Sequence, residues 1–150
     1  MTGYEYVPNQ SSPIKELHYA ADGKQLVSYT IHTYKLAGGK IKSQTFAPDG
    51  RETLTYTYEY DTRGNLTKWA SSYWQYDTHS NPLQILQIPY IDPSWGSPNN
   101  ATENFGKDAN GNKTNVWRYE YTYDSKFDFP LSMKTFVDNK LTSQSEFIYR

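Results

Sequence analysis

The side chains best equipped to bind something are aromatic: the chain carries 15 tyrosines, 4 tryptophans and 6 phenylalanines in 150 residues. A ring offers a flat apolar face, and an indole N–H or phenol hydroxyl adds a polar handle. Rings held on a rigid sheet can therefore stack on sugar faces and bond their hydroxyls. Trp69, Trp74, Trp95, Trp117 and Tyr90 are the candidate ligand-binding residues. Trp95 and Tyr90 fall in a long Pro-, Gly- and Asn-containing stretch between residues 89 and 112, where packing asks least of a side chain. The competing role for the rings is core packing, and it is the commoner one for residues at alternating strand positions.

Other chemistry is thinly represented. His18, His32 and His79 lie far apart without metal-ligand spacing, and a metal site needs three or four convergent ligands. Asp108-Ala109-Asn110-Gly111-Asn112 has a calcium-loop flavour. An EF-hand loop, however, needs glycine at its sixth position and glutamate at its twelfth, so a hairpin turn explains this segment better. Glu52, Glu59, Glu103 and Glu120 could supply a glycosidase-type carboxylate pair only if the fold sets two of them the right distance apart. There is no nucleophile elbow and no phosphate-binding glycine loop. No catalytic residue, cofactor or metal is implied. Asn65, Asn100 and Asn112 each begin an Asn-x-Thr sequon, which matters only for a glycosylated secreted chain.

The elements that must position the rings are strands. Leu54, Tyr56, Tyr58 and Tyr60 share one face of residues 52–60, with Thr53, Thr55, Thr57 and Glu59 on the other. Trp117, Tyr119, Tyr121 and Tyr123 repeat the pattern in residues 113–123. This period of two is that of a half-buried antiparallel strand. Between such runs stand turn signals: Asp22-Gly23, Gly38-Gly39, Asp49-Gly50, Gly64-Asn65, Ser80-Asn81-Pro82, Asn110-Gly111-Asn112, Asp128-Phe129-Pro130 and Asp138-Asn139. Strands are expected near residues 15–20, 25–36, 40–47, 52–60, 66–77 (with a break near Ala70-Ser71-Ser72), 83–88, 113–123, 131–137 and 140–149, and no segment has a helical period. The expected fold is all-β: one domain over residues 1–150, an up-and-down meander of about eight or nine strands in a single strongly curved sheet, as a half-barrel or barrel.

Composition narrows the partners. With 15 basic and 16 acidic residues interspersed, the formal charge is −1, and no basic stripe awaits nucleic acid. Cysteine is absent, which removes disulfides and thiol chemistry. No run approaches the ~20 apolar residues of a membrane helix. The first residues do not form a signal peptide. An open sheet would present edge strands through which a second copy could pair.

One unit recurs: aromatic-x-Tyr-Asp, a short turn, then Asn or Phe with Leu or Pro following. Its copies are Tyr58–Trp69, Trp74–Leu83 and Tyr121–Leu131. The aspartate can accept backbone N–H groups two residues on and so start the turn. This hairpin unit resembles the tyrosine-aspartate repeats of large bacterial and animal surface proteins. Over residues 50–150 the chain more closely resembles a family of Bacteroidetes lipoproteins of unknown function with a porin-like β fold. The resemblance rests on the tyrosine strand entering Asp61–Leu66, on Ser97-Pro98-Asn99-Asn100-Ala101-Thr102, on Trp117–Tyr123 feeding a turn, and on the ending Phe147-Ile148-Tyr149-Arg150. It implies export to the periplasm or outer-membrane surface, through a lipidated N-terminal segment that this cysteine-free sequence does not show. Three functions follow as expectations. The first is non-enzymatic binding of a ligand such as a glycan, through the aromatic face or the 89–112 stretch. The second is a structural module that binds another protein, and the third is a carboxylate-dependent hydrolase.

Overall fold

The computed structural model describes residues 1–8, 12–35, 38–86 and 96–149. The described residues form eleven strands: β1 (Thr2–Glu5), β2 (Lys15–Tyr19), β3 (Leu26–Lys35), β4 (Gly38–Phe46), β5 (Glu52–Tyr60), β6 (Leu66–Trp69), β7 (Ser72–Ser80), β8 (Asn99–Lys107), β9 (Lys113–Tyr123), β10 (Pro130–Val137) and β11 (Lys140–Glu146). They form one antiparallel sheet whose order follows the chain from β1 to β11. The all-β meander is as expected, but the strand count exceeds eight or nine and the order is open, with β1 and β11 as its ends. Of the expected strand 83–88, residues 83–86 instead belong to a short 3₁₀ turn, Pro82–Leu86, and residues 87–88 lie outside the described ones. Proline opens that turn without losing a ladder hydrogen bond. The stretch read as irregular contains β8, and residues 66–77 divide at Ala70-Ser71 into β6 and β7.

The turns obey the aspartate rule. Asp61 Oδ1 accepts the N–H groups of Arg63 and Asn65, each at 2.9 Å. Asp108 Oδ1 accepts those of Asn110 and Asn112 at 2.9 and 2.8 Å, and Asp124 Oδ1 those of Lys126 and Phe127, both at 2.8 Å. Asp61–Asn65 and Asp108–Asn112 are therefore one turn used twice, Asp-x-x-Gly-Asn, with Gly64 at φ +92° and Gly111 at φ +85°. The calcium-like segment is this turn. A Cβ added at Gly111 would meet nothing within 4 Å, so Gly111→Ala isolates the backbone strain. It is expected to cost about 1 kcal/mol, read from the shift in a urea unfolding midpoint.

The chain divides into two compact units, Met1–Tyr58 and Glu59–Arg150. In the first, the covered face is polar. Cross-strand pairing sets Glu16 opposite Thr30, Thr30 opposite Thr45, and His32 opposite Ser43. Thr30, His32 and Ser43 are buried, while Val27 and Ile31, on the other face of β3, are exposed. The buried groups satisfy one another. His32 Nδ1 meets Ser43 Oγ at 2.9 Å, its Nε2 meets Glu16 Oε1 at 2.9 Å, and Ser43 Oγ meets the Tyr58 hydroxyl at 3.2 Å. Burial without such partners would cost more than the fold could recover.

In the second unit the core is small and mixed. Among the described residues, Leu66, Trp74 and Phe105 form its buried hydrophobic core. Asn65, at 0% exposure, is its most enclosed polar one. Asn65 Nδ2 donates to Asp61 Oδ2 and Asn99 Oδ1, and Asn65 Oδ1 accepts Asn99 N–H, all at 2.9 Å. Next to it, Ser97 Oγ accepts Leu66 N–H at 3.1 Å and donates to the Tyr76 hydroxyl at 3.1 Å, which donates to Leu66 C=O at 2.7 Å. This closed ring ties β6, β7 and the approach to β8 together.

Candidate functional site

The second unit encloses a cavity of about 300 Å³. Strand register explains its walls. Trp74 on β7 stands opposite Asn104 on β8, and Met133 on β10 stands opposite Tyr121 on β9. Cross-strand partners project to the same side of a sheet, as do alternate residues of one strand. Trp74, Asn104, Tyr119, Tyr121 and Met133 therefore share one side, and all five line the cavity. Asn81 contributes from just before the 3₁₀ turn and Leu83 from within it, Asn100 and Ala101 from the start of β8, Pro130 from the start of β10, and Phe147 from beyond β11.

Each polar side chain in the wall is held in place. Asn100, buried, takes its orientation from Nδ2, which donates to Ser80 C=O at 3.1 Å and His79 C=O at 3.4 Å. Asn104 Nδ2 donates to Tyr73 C=O at 3.1 Å. Asn104 Oδ1 accepts nothing from a described residue. Tyr121 donates its hydroxyl to Ala101 C=O at 3.0 Å. Burial, then the Asp77 carboxylate and Tyr119, push the Tyr121 phenol well above its ordinary pKa, so it stays neutral. No charged side chain is among the described lining residues. The surroundings are those of an uncharged ligand with an apolar face and a few hydrogen-bonding groups.

At one end of this wall lies a second constellation. Asp77 Oδ2 accepts the Tyr123 hydroxyl, and Asp77 Oδ1 accepts His79 N–H at 3.0 Å and Asn100 N–H at 3.2 Å. The His79 ring lies flat on Tyr123, centroids 3.8 Å apart, and His79 Nδ1 meets Asp128 Oδ1 at 2.5 Å. Asp77 is thus the second copy of the tyrosine-aspartate unit put to a different use. β7 continues past it to Ser80, and the carboxylate ties β8 and β9 instead of closing a hairpin.

Of the residues singled out from sequence, Trp74 is in the cavity and 7% exposed. Trp117 is on the cavity side of β9, opposite Asn104, but is 43% exposed and not among the lining residues. Trp69 is half-buried at the end of β6 and not among the lining residues. Trp95 and Tyr90 lie outside the described residues. The four glutamates of the hydrolase expectation are engaged individually. Glu59 pairs with Lys68, Glu103 with Lys113 and Glu120 with Arg118, while Glu52 accepts from Gln44 and Thr55. Among the described residues, no group of three or more His, Cys, Asp or Glu could hold a metal ion. In the sequence Asn81 reads as part of a turn and Asn100 as part of a sequon, and nothing there marks either of them or Asn104 as a site residue. The available signal was the density of asparagine around residues that had been read as loop.

Fold and site together define an all-β antiparallel meander with a neutral, aromatic- and asparagine-lined cavity. No protein-family model matches the chain, and no curated protein matches it. Among solved structures it is similar to a porin-like protein from Bacteroides uniformis, with a TM-score of 0.57, 11% identity and 96% of this chain covered. The chain spans 66% of that protein's length. At that identity the likeness concerns the fold, and it agrees with the porin-like architecture that the lipoprotein resemblance implied. Among the described residues, no helix is long and apolar enough to cross a membrane.

Proposed function

We propose that this chain is a non-enzymatic ligand-binding protein of the bacterial cell envelope, and that its cavity takes a neutral saccharide. The observation that carries this reading is the pairing of Trp74 with Asn104 across β7 and β8, in a cavity whose described walls hold no charge. A ring faces the apolar side of a sugar, and an amide oxygen with no partner among the described residues accepts a hydroxyl. The volume is at the lower end of small-ligand pockets, which suits one sugar ring. Export to the envelope is supported by the porin-like Bacteroides neighbour.

The test is screening on an array of neutral glycans, followed by calorimetric titration of the hits. Trp74→Phe keeps a ring in the core, and Asn104→Ala removes only the amide. Each is expected to weaken binding about tenfold, the worth of one stacking contact or one well-made hydrogen bond. A wild-type protein that binds no neutral glycan would refute the reading.

A structural module that binds another protein is the second reading, favoured by β11. Every residue of that strand is exposed, at one end of the strand order. The register along β11 skips Thr142, whose hydroxyl donates to Thr135 C=O at 3.0 Å, and a bulge of this kind hinders further strand addition.

A further inference from the structure

His79 is held at every polar atom but one. Its N–H donates to Asp77 Oδ1 at 3.0 Å, and its C=O accepts Asn99 Nδ2 at 3.1 Å and Asn100 Nδ2 at 3.4 Å. Nδ1 meets Asp128 Oδ1 at 2.5 Å, and one ring face is covered by Tyr123. Only Nε2 has no partner among the described residues, on a side chain 39% exposed. Asp128 is set to hold this arrangement. It sits at φ +60° in the turn before β10, and its other oxygen, Oδ2, accepts Ser80 N–H at 3.1 Å. The bond from His79 and that from Ser80 keep the Asp128 carboxyl below its ordinary pKa, so it is an acceptor only. An ionised Asp128 requires a proton on Nδ1, and when the ring carries only that proton Nε2 is a lone-pair acceptor. Fixing the ring this fully costs conformational freedom, and the freedom is spent on one atom.

The position relates this atom to the cavity. Asn100 lines the cavity and bonds the backbone of His79 and Ser80, and Tyr121, also in the wall, lies 5.9 Å from the Tyr123 ring that supports His79. We infer that His79 Nε2 is the polar contact at the rim of the cavity, accepting a hydroxyl from a second sugar unit, so that the ligand is a saccharide of at least two residues. This inference rests on the saccharide reading of the cavity. It adds the length of the ligand and the atom that reads it.

The probes are the free monosaccharides and the disaccharides of glucose, galactose, mannose and N-acetylglucosamine, titrated calorimetrically against the whole chain. The expected result is tighter binding of one disaccharide than of its monosaccharide. His79→Phe, which retains a ring against Tyr123 but has no nitrogen, should remove that difference, about five- to tenfold, and leave the monosaccharide affinity unchanged. Asp128→Asn offers a check without ligand. Asparagine tolerates the same φ, but its single oxygen cannot serve both Ser80 N–H and the ring. With the oxygen kept on Ser80, its NH₂ faces Nδ1 and drives the proton to Nε2. Nitrogen chemical shifts should show Nδ1–H in the wild type and Nε2–H in Asp128→Asn. Equal loss of mono- and disaccharide binding in His79→Phe, no loss of either, or a wild-type ring protonated on Nε2 would overturn the inference while sparing the cavity. Failure of every probe to bind the wild type would remove the saccharide reading and this inference with it.

Discussion

Replacing Asn65 by aspartate is expected to destabilise the second unit by about 3–5 kcal/mol, although it changes one NH₂ to an oxygen. Asn65 Nδ2 donates to two acceptors, Asp61 Oδ2 and Asn99 Oδ1, each at 2.9 Å, inside a site with no solvent access. Aspartate puts an acceptor where both neighbours are already acceptors. If ionised, it stands beside the Asp61 carboxylate in a place water does not reach. If protonated, it donates to one neighbour and leaves the other unmet. Asn65→Ala also loses the network, but it brings no repulsion, and should cost less, about 2–3 kcal/mol. Urea unfolding followed by tryptophan fluorescence gives both numbers. If Asn65→Asp unfolds at the wild-type midpoint, the Asp61–Asn65–Asn99 ring does not hold β6 to β8. The matching turn supplies a control. Asn112, in the same place in Asp108–Asn112, is exposed, and Asn112→Asp should be tolerated because water can solvate the added charge.

That contrast shows what a sequence can and cannot disclose. The two turns read alike as Asp-x-x-Gly-Asn, and both form with the same bonds and the same positive-φ glycine. Only in the first is the closing asparagine buried, because Asn99 and Ser97 fold over it from more than thirty residues away. Local chemistry is legible, and long-range cover is not. The strands divide along the same line. β5 and β9 match the expected 52–60 and 113–123, because alternating tyrosines and threonines have strong strand character. β8 was missed, since Asn99-Asn100-Ala101-Thr102-Glu103-Asn104 has little of it. That strand is held by its neighbours and by asparagine side chains bonded to the backbone of β7. β1, four residues with a central glycine, gave no alternation to see.

For the site, Trp74 was visible as one aromatic among many. Its partner Asn104 is thirty positions on, and nothing local joins them. Alternation was also silent about which face is covered. Val27, Ile31 and His32 mark two faces of β3 correctly, but hydrophobicity points to the wrong one as interior. The polar face is buried because Glu16, Ser43 and Tyr58 arrive from β2, β4 and β5 to satisfy it.

This inverted face makes the first unit sensitive to acid in a range where carboxylates are not. Burial, then the nearby Lys40 ammonium, pull the His32 pKa below its ordinary 6.5, against the pull of Glu16 in the other direction. Lys40 is itself lowered by burial, and His18 adds a further small opposing charge when protonated. Above pH 6.5 His32 is neutral in both folded and unfolded chains, so its contribution to stability is complete. As pH falls below 6.5, the unfolded chain takes up a proton that the folded one resists, and stability declines until the lowered folded value is passed. Asp61 and Asp108 are lowered from 3.8, so their contributions are lost only under more acidic conditions. The unfolding free energy should therefore fall in two steps, the first belonging to His32. His32→Ala removes both ring bonds and leaves Glu16 and Ser43 without that partner. It should cost about 2–4 kcal/mol at pH 7.5, and it should abolish the first step. His18→Ala is the companion variant. Its ring is a third exposed, it meets Thr30 Oγ1 at 3.4 Å and Glu16 Oε2 at 3.9 Å, and its loss should leave the first step in place. Urea titrations at half-unit pH intervals from 7.5 to 2 would resolve the two. A first step that survives in His32→Ala would assign it to another group and refute the account of the buried polar face.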